Sequence, residues 1–328
     1  MSYKILITGA AGFIGSHLAQ RLIKDKRVEQ IIGVDNLSGY PNLKNARLNS
    51  LNQTNSPKWQ FVLADIANRE LVENIFSTFA PNIVVHLAAK PGIQHCEQFP
   101  ASALQANIVG FFNVLNCCRV YDVQHLIFAS SSTANTTGDC ADYSTLSFYS
   151  ATKITNELFA FSFSQNHDLT STALRFFNVY GKFGRPDALY LKLACRLAKN
   201  VPLNLYGYGM LTRDFTFIDD VVEGILRVIF HKPRKIFNLY DLGRGKPIPI
   251  LKFCDVLIKK FCAAQIFKKD FPHYKNLLKL APQRPFDRLS NCADGSAFKR
   301  DFDFAPKTDI SEGLNSVVAN FPAIKELI

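Results

Sequence analysis

The segment Thr8-Gly9-Ala10-Ala11-Gly12-Phe13-Ile14-Gly15 lies between an apolar run, Ile5-Leu6-Ile7, and a stretch from Phe13 to Ile23 whose apolar residues recur three or four apart. A glycine-rich turn between a buried strand and an amphipathic helix permits a tight reversal. It also presents backbone N–H groups and a helix N-terminus to a pyrophosphate. The spacing is G-x-x-G-x-x-G, and an acid follows at the end of the next strand: Asp35, in Val34-Asp35-Asn36, 20 residues past Gly15. A carboxylate there can bridge the hydroxyls of an adenosine ribose and would repel a 2′-phosphate, which favours NAD over NADP. The plainer alternative is a turn residue after a strand.

Further apolar runs recur at Ile31-Ile32-Gly33-Val34, Phe61-Val62-Leu63, Ile83-Val84-Val85 and Leu126-Ile127-Phe128. They are short and continuous rather than alternating, as expected for strands buried on both faces of a parallel sheet. Helix-length segments separate them, among them Leu71 to Phe79 and Leu104 to Cys118. The rhythm predicts an α/β fold with a doubly wound parallel sheet. Asp65-Ile66, after the third run, is placed for the adenine edge, with a helix N-cap as the alternative. Leu87-Ala88-Ala89, after the fourth, offers small side chains past which a cofactor could run, or ordinary helix–sheet packing.

Beyond residue 176 the rhythm loosens. Gly181, Gly184, Pro186, Pro202, Gly207 and Gly209 punctuate shorter elements, and a helix is expected from Asp219 to Phe230. We therefore expect a dinucleotide-binding domain over 1–176, completed by parts of 212–240, and a smaller mixed α/β substrate domain over 177–328. No flexible linker divides them, so a ligand cleft should lie between.

Composition narrows the partners. The 328 residues carry 38 Lys+Arg against 27 Asp+Glu, a formal charge of +11, which favours an anionic ligand. The densest basic stretch, Lys268-Lys269 with Lys275 and Lys279, is broken by Asp270 and apolar residues and reads as a solvated face rather than a nucleic-acid or membrane surface. Eight cysteines form no C-x-x-C pair, so no metal site is expected. No run approaches a signal or membrane segment, and a cytoplasmic protein is expected.

Two further motifs carry chemistry. Tyr149-Ser150-Ala151-Thr152-Lys153 puts a phenol and an ammonium four residues apart, on one face of a helix. A phenol titrates near 10, so using it as a base near neutrality needs a neighbouring cation, and Lys153 supplies one. The serine cluster Ser130-Ser131-Ser132-Thr133 follows the run ending at Ala129. Its hydroxyls can donate to a developing oxyanion and share a proton with the tyrosine. A surface helix and a polar turn are the alternatives.

Taken with TGAAGFIG, VDN, HLAA, SSS, YSATK, RFFNVYG, RDFTFIDD and RPFD…CAD, the chain resembles, nearly end to end, the extended short-chain dehydrogenase/reductases of the nucleotide-sugar epimerase and dehydratase group. The resemblance implies a Rossmann domain, bound NAD and a UDP-sugar substrate, and a homodimer as in similar proteins. It implies Ser131, Ser132, Tyr149 and Lys153 as catalytic, and adds Asn107 and Ser130 to the cofactor residues Gly9, Gly12, Phe13, Ile14, Gly15, Asp35, Asn36, Asp65, Ile66, Leu87, Ala88, Ala89, Tyr149 and Lys153. The substrate set it implies is Ser131, Thr133, Asn178, Arg185, Arg213 and Arg284. Arginine forks suit a diphosphate, with a structural ion pair as the alternative.

Gly184-Arg185-Pro186-Asp187-Ala188 is similar to the uronate 4-epimerases, which points to UDP-glucuronate. Dehydratases and decarboxylases of the group carry acids beside the serine or threonine, whereas Ser132, Thr133 and Ala134 follow Ser131 here. A 4-epimerase therefore fits best: Tyr149 takes the C4 hydroxyl proton, NAD takes the C4 hydride, and the 4-keto sugar turns over before the hydride returns. Epimerisation of another UDP-hexose, another nucleotide-sugar dehydration or reduction, and silent binding are the alternatives. The chain departs from the family pattern at Ala134-Asn135-Thr136, in a shortened interval between Ser131 and Tyr149, at Pro91-Gly92-Ile93-Gln94, and at Phe286.

Overall fold

The computed structural model describes residues 2–134, 146–231, 234–284 and 287–328. Asn135, Thr136, most of the shortened interval before Tyr149, and Phe286 lie outside the described residues. Strands β1 (Tyr3–Thr8), β2 (Val28–Asp35), β3 (Trp59–Leu63), β4 (Ile83–His86), β5 (His125–Ser131) and β6 (Ser171–Phe176), with a last strand Phe237–Leu242, form one seven-stranded sheet. The order is Phe237–Leu242, β6, β5, β4, β1, β2, β3, and every neighbouring pair is parallel.

The continuous apolar runs have a simple cause: successive side chains point to opposite faces, and both faces are covered. Ile5, Ile7, Ile31, Ile83, Val85 and Ile127 enter one core with α1 (Phe13–Ile23) and the helix Ile218–Phe230. Leu6, Ile32, Val34, Val84, Leu126 and Phe128 enter a second, with the helices Arg69–Phe79 and Gly110–Val120. The expected helix from Leu104 to Cys118 is not continuous. It divides into Pro100–Leu104, a π-helical turn Gln105–Val109, and Gly110–Val120.

A third core lies in the C-terminal half, where the helices Leu189–Ala198, Ile250–Ala263 and Ile310–Lys325 pack together with Phe215 and Tyr180. Short two-stranded ribbons complete this half: Asn178–Tyr180 with Phe215–Phe217, Leu203–Leu205 with Leu278–Leu280, and Thr212–Arg213 with Ile248–Pro249. β1 and β4 are adjacent although the chain leaves them toward opposite edges, so a crevice opens beyond their carboxyl ends, at Thr8 and His86.

Candidate active site

The glycine turn closes on itself and on the end of β4. Gly9 has φ +71, and a Cβ there would lie 2.7 Å from Ala88 N and 2.8 Å from Leu87 C; a Cβ on Gly15 would lie 2.2 Å from Gly9 O. Leu87-Ala88-Ala89 therefore passes directly against the turn. Thr8 Oγ1 accepts from Ala88 N and lies 2.9 Å from His86 Nδ1. Burial lowers His86 to about 3, so a neutral imidazole sits beneath the turn. α1 begins at Gly12 with no side-chain cap and no acid in its first turn. The positive end of its dipole, carried by Phe13, Ile14 and Gly15, is left to an external anion.

Asp35 is buried at the end of β2. It accepts from Ala11 N at 3.1 Å and Leu37 N at 2.8 Å and pairs with Lys44 Nζ at 2.7 Å. Asn36 Nδ2 donates to Asp65, whose other oxygen accepts from Ala67 N; the N-cap of the following helix is Asn68, not Asp65. Ile66 is buried, and its carbonyl accepts from Asn113. Lys90, directly after Ala89, donates to Ser38 Oγ. These groups line one end of the crevice, and an uncapped helix, a close-packed turn and an acid at β2 fit an NAD molecule.

Asn107 sits on the π-helical turn, buried. Its carboxamide accepts from Lys90 N and donates to Lys90 O and Thr152 Oγ1. It thereby joins the end of β4 to the helix Phe148–His167, which carries Tyr149 and Lys153. That helix starts at Ser147, whose side chain accepts from Ser150 N, while Glu97 accepts from Phe148 N. Lys153 is buried, with Nζ donating to Ala129 O at 2.9 Å and lying 6.0 Å from the Tyr149 ring. Burial lowers its ammonium to about 8. Burial raises the Tyr149 phenol, and the Arg185 charge and a hydrogen bond with Ser131 pull it back down.

The serine cluster is split three ways. Ser130 donates to Glu157, which is paired with Arg175 at 2.7 Å. Ser131 meets Tyr149 and lies 3.0 Å from Thr133 Oγ1. Ser132 Oγ accepts from Asn291 Nδ2 at 2.8 Å, and Arg288 donates to the carbonyls of Ser132 and Thr133. Ser131 is the member of the cluster bonded to Tyr149, and Thr133 reaches that pair through Ser131. Arg185 lies over Gly92, with Nη2 3.3 Å from where a Cβ would stand, and is forked onto Asp187 at 3.0 and 2.5 Å.

Farther along, Arg284 forks onto Asp287 at 2.8 and 3.1 Å and lies over the Tyr206 ring, while Arg213 approaches the same carboxylate at 4.0 Å. Asn178 is exposed on its short strand. Sequence reasoning missed Lys44, Arg47, Lys90, Glu157, Asp287, Arg288 and Asn291; only Asp287, inside the RPFD motif, carried a local signal. Among the described residues, no group of three His, Cys, Asp or Glu could hold a metal ion, and no helix is long and apolar enough to cross a membrane.

Residues 5–239 match the NAD dependent epimerase/dehydratase family. Protein CapI of Staphylococcus aureus is 36% identical, over 96% of this chain and 97% of its own length. A probable UDP-glucuronate 4-epimerase of Rhizobium meliloti is 32% identical, over 78% of this chain and 82% of its own. In structure, UDP-glucuronic acid 4-epimerase from Bacillus cereus, solved with UDP-glucuronic acid and NAD, superposes with a TM-score of 0.86 at 27% identity, covering 98% of this chain and 99% of that one.

Proposed function

Since this chain belongs to the NAD dependent epimerase/dehydratase family, we propose that it is the 4-epimerase of a UDP-uronate, interconverting UDP-glucuronate and its C4 epimer. The observation that carries the substrate reading is Arg185, held over Gly92 and close enough to Tyr149 for its charge to oppose the burial that raises the phenol. A guanidinium beside the base is where a C6 carboxylate would lie if C4 faces Tyr149. Chain positions 1–176, with parts of 212–240, serve the cofactor, and 177–328 serve the sugar nucleotide.

NAD, when bound, supplies a reversible acceptor for the C4 hydride. The protein's own groups do the rest. Gly9, Gly12, Phe13, Ile14 and Gly15 would hold the cofactor's pyrophosphate, and Asp35 with Asn36, Asp65 and Ile66 would hold its adenosine. Leu87, Ala88 and Ala89 floor the crevice, positioned by Asn107. Tyr149 accepts the C4 hydroxyl proton and returns it after the sugar has turned. Ser131 donates to the developing oxyanion, Thr133 orients Ser131, and Lys153 favours the phenolate. Ser130 and Ser132 hold the ends of this segment through Glu157 and Asn291. Arg213 and Arg284 take the diphosphate, with Asn178 at the same ligand.

Homodimerisation is part of the reading. The helices Gly110–Val120 and Phe148–His167 expose Phe112 and Phe159, whose ring centroids lie 6.5 Å apart, and Leu158 next to Phe159, an apolar face suited to a second copy. The test of function is direct. The purified protein with UDP-glucuronate should give its C4 epimer by NMR, with no net reduced cofactor, and Tyr149→Phe should abolish it. Inversion of UDP-glucose or UDP-N-acetylglucosamine but not the uronate would overturn the substrate assignment, and inversion of none would overturn the activity.

A further inference from the structure

Arg47, on the helix Pro41–Asn52, is a buried cation that the chemistry above does not use. Its hydrogen bonds all go to backbone carbonyls. Nε and Nη2 donate to Phe183 O at 3.0 and 2.6 Å, Nη2 to Gly184 O at 2.9 Å, and Nη1 to Ala11 O at 3.1 Å. One side chain thus joins the glycine turn to the residues leading into Arg185. A buried guanidinium is costly unless its donors are used, and here the fork is matched to two loops at once.

The loop it grips does not hold its shape by local preference. Phe183 has φ +52, a left-handed conformation that a bulky residue rarely adopts. A Cβ on Gly184 would fall 1.5 Å from Tyr190 Oη, which itself donates to Gly181 O at 2.9 Å. Arg47 and Tyr190 therefore fix the loop from both sides. The next residue is Arg185, whose outer edge is already occupied by Asp187, and Asp187 is in turn bonded by the Tyr40 hydroxyl.

We propose that Arg47 is a positioning residue for Arg185: by holding the Phe183 and Gly184 carbonyls against the glycine turn, it sets the placement of Arg185 beside Tyr149 and ties that placement to the dinucleotide site. The carboxylate half of this role rests on the uronate reading. The placement beside Tyr149 does not.

The test follows the Tyr149 phenol in the holoenzyme by ultraviolet difference titration, each protein against its Tyr149→Phe counterpart. Among the described residues, the groups facing the phenol are Arg185, Ser131, Lys153 and Cys96. Arg47→Lys keeps a positive charge but cannot fork to three carbonyls. It should raise the Tyr149 titration by roughly half a unit to one unit, in the direction of Arg185→Gln, with little further shift in the double variant. UDP-glucuronate should bind about tenfold more weakly by calorimetry while UDP stays within about twofold. A folded Arg47→Lys that titrates as wild type, or whose shift adds to that of Arg185→Gln, overturns the proposal. If Arg47→Lys does not fold, Tyr190→Phe, which releases Gly181 O from the same loop, carries the same expectation and the same refutation. Should wild type bind UDP-glucuronate no better than UDP-glucose while the Tyr149 shift and its non-additivity hold, the uronate reading falls and the positioning role stands.

Discussion

Gly9→Ala separates two costs that usually come mixed. At φ +71 the backbone is left-handed, and placing an L side chain there costs about 1–2 kcal/mol. The added methyl would also meet Ala88 N at 2.7 Å, Leu87 C at 2.8 Å and Ala88 Cα at 2.9 Å, all backbone atoms of the segment after β4. Backbone cannot rotate away as a side chain can, so an overpacking cost of about 1–3 kcal/mol adds to the first. Gly39→Ala is the matched control: its φ is +97, yet nothing lies within 4 Å of the added methyl. At about 2 °C per kcal/mol for a chain of this size, Gly9→Ala should lower the melting temperature by roughly 4–10 °C and Gly39→Ala by roughly 2–4 °C. Calorimetry of cofactor-stripped protein reads packing alone, and repeating it with saturating NAD reads the added loss of binding. If the two stripped variants melt within a degree of each other, the argument that the turn is built against the end of β4 is wrong.

Three other changes test the site. Lys153→Met should cut turnover by about a hundredfold or more. It should also change the pH dependence of stability. With Lys153 lowered to about 8 from 10.5, the unfolded wild type binds the extra proton between those values, so wild type gains stability on the variant as pH rises from 8 to 10.5. A melting-temperature difference that does not move across that window sinks the claim. Ser131→Ala should reduce kcat by about 10²–10³, whereas Ser132→Ala, whose hydroxyl is bonded by Asn291, should stay within roughly tenfold and cost about 1 kcal/mol of stability. Equal kcat losses in the NMR assay would contradict the split. Glu157→Ala removes the carboxylate opposite Arg175, in a pair with side chains 10% and 15% exposed, and should cost about 3–5 kcal/mol in urea denaturation. A loss below about 1 kcal/mol would mean the pair is far more hydrated than its burial implies.

Periodicity in a sequence records what a residue does for its own element, which is why the sheet was legible. Ile5, Leu6 and Ile7 are all apolar because odd and even positions feed different cores. The same logic placed Tyr149 and Lys153 on one helical face. It missed the break in the helix expected from Leu104 to Cys118, because nothing in Gln105-Ala106-Asn107 marks the extra residue of a π-helical turn, and Asn107 itself was supplied by the family resemblance alone. The serine cluster was legible as hydroxyls after a strand, but three consecutive hydroxyls look alike, and their partners, Glu157, Tyr149 and Asn291, come from 27, 18 and 159 residues away. Arg213 and Arg284 were read from the sequence as cations for a diphosphate. That Asp287 already gathers them was not, since the carboxylate that pre-orients a fork and the one that merely neutralises it have the same sequence. Arg47 is the limiting case: nothing in Asn45-Ala46-Arg47-Leu48 marks it, and its acceptors are carbonyls 136 and 137 residues ahead of it and 36 behind. A carbonyl leaves no trace in residue identity. The connections through which one half of this enzyme can constrain the other are therefore the ones that composition, spacing and family motif are least able to reveal, and they are where substitutions distant from Tyr149 should change specificity without touching the reacting groups.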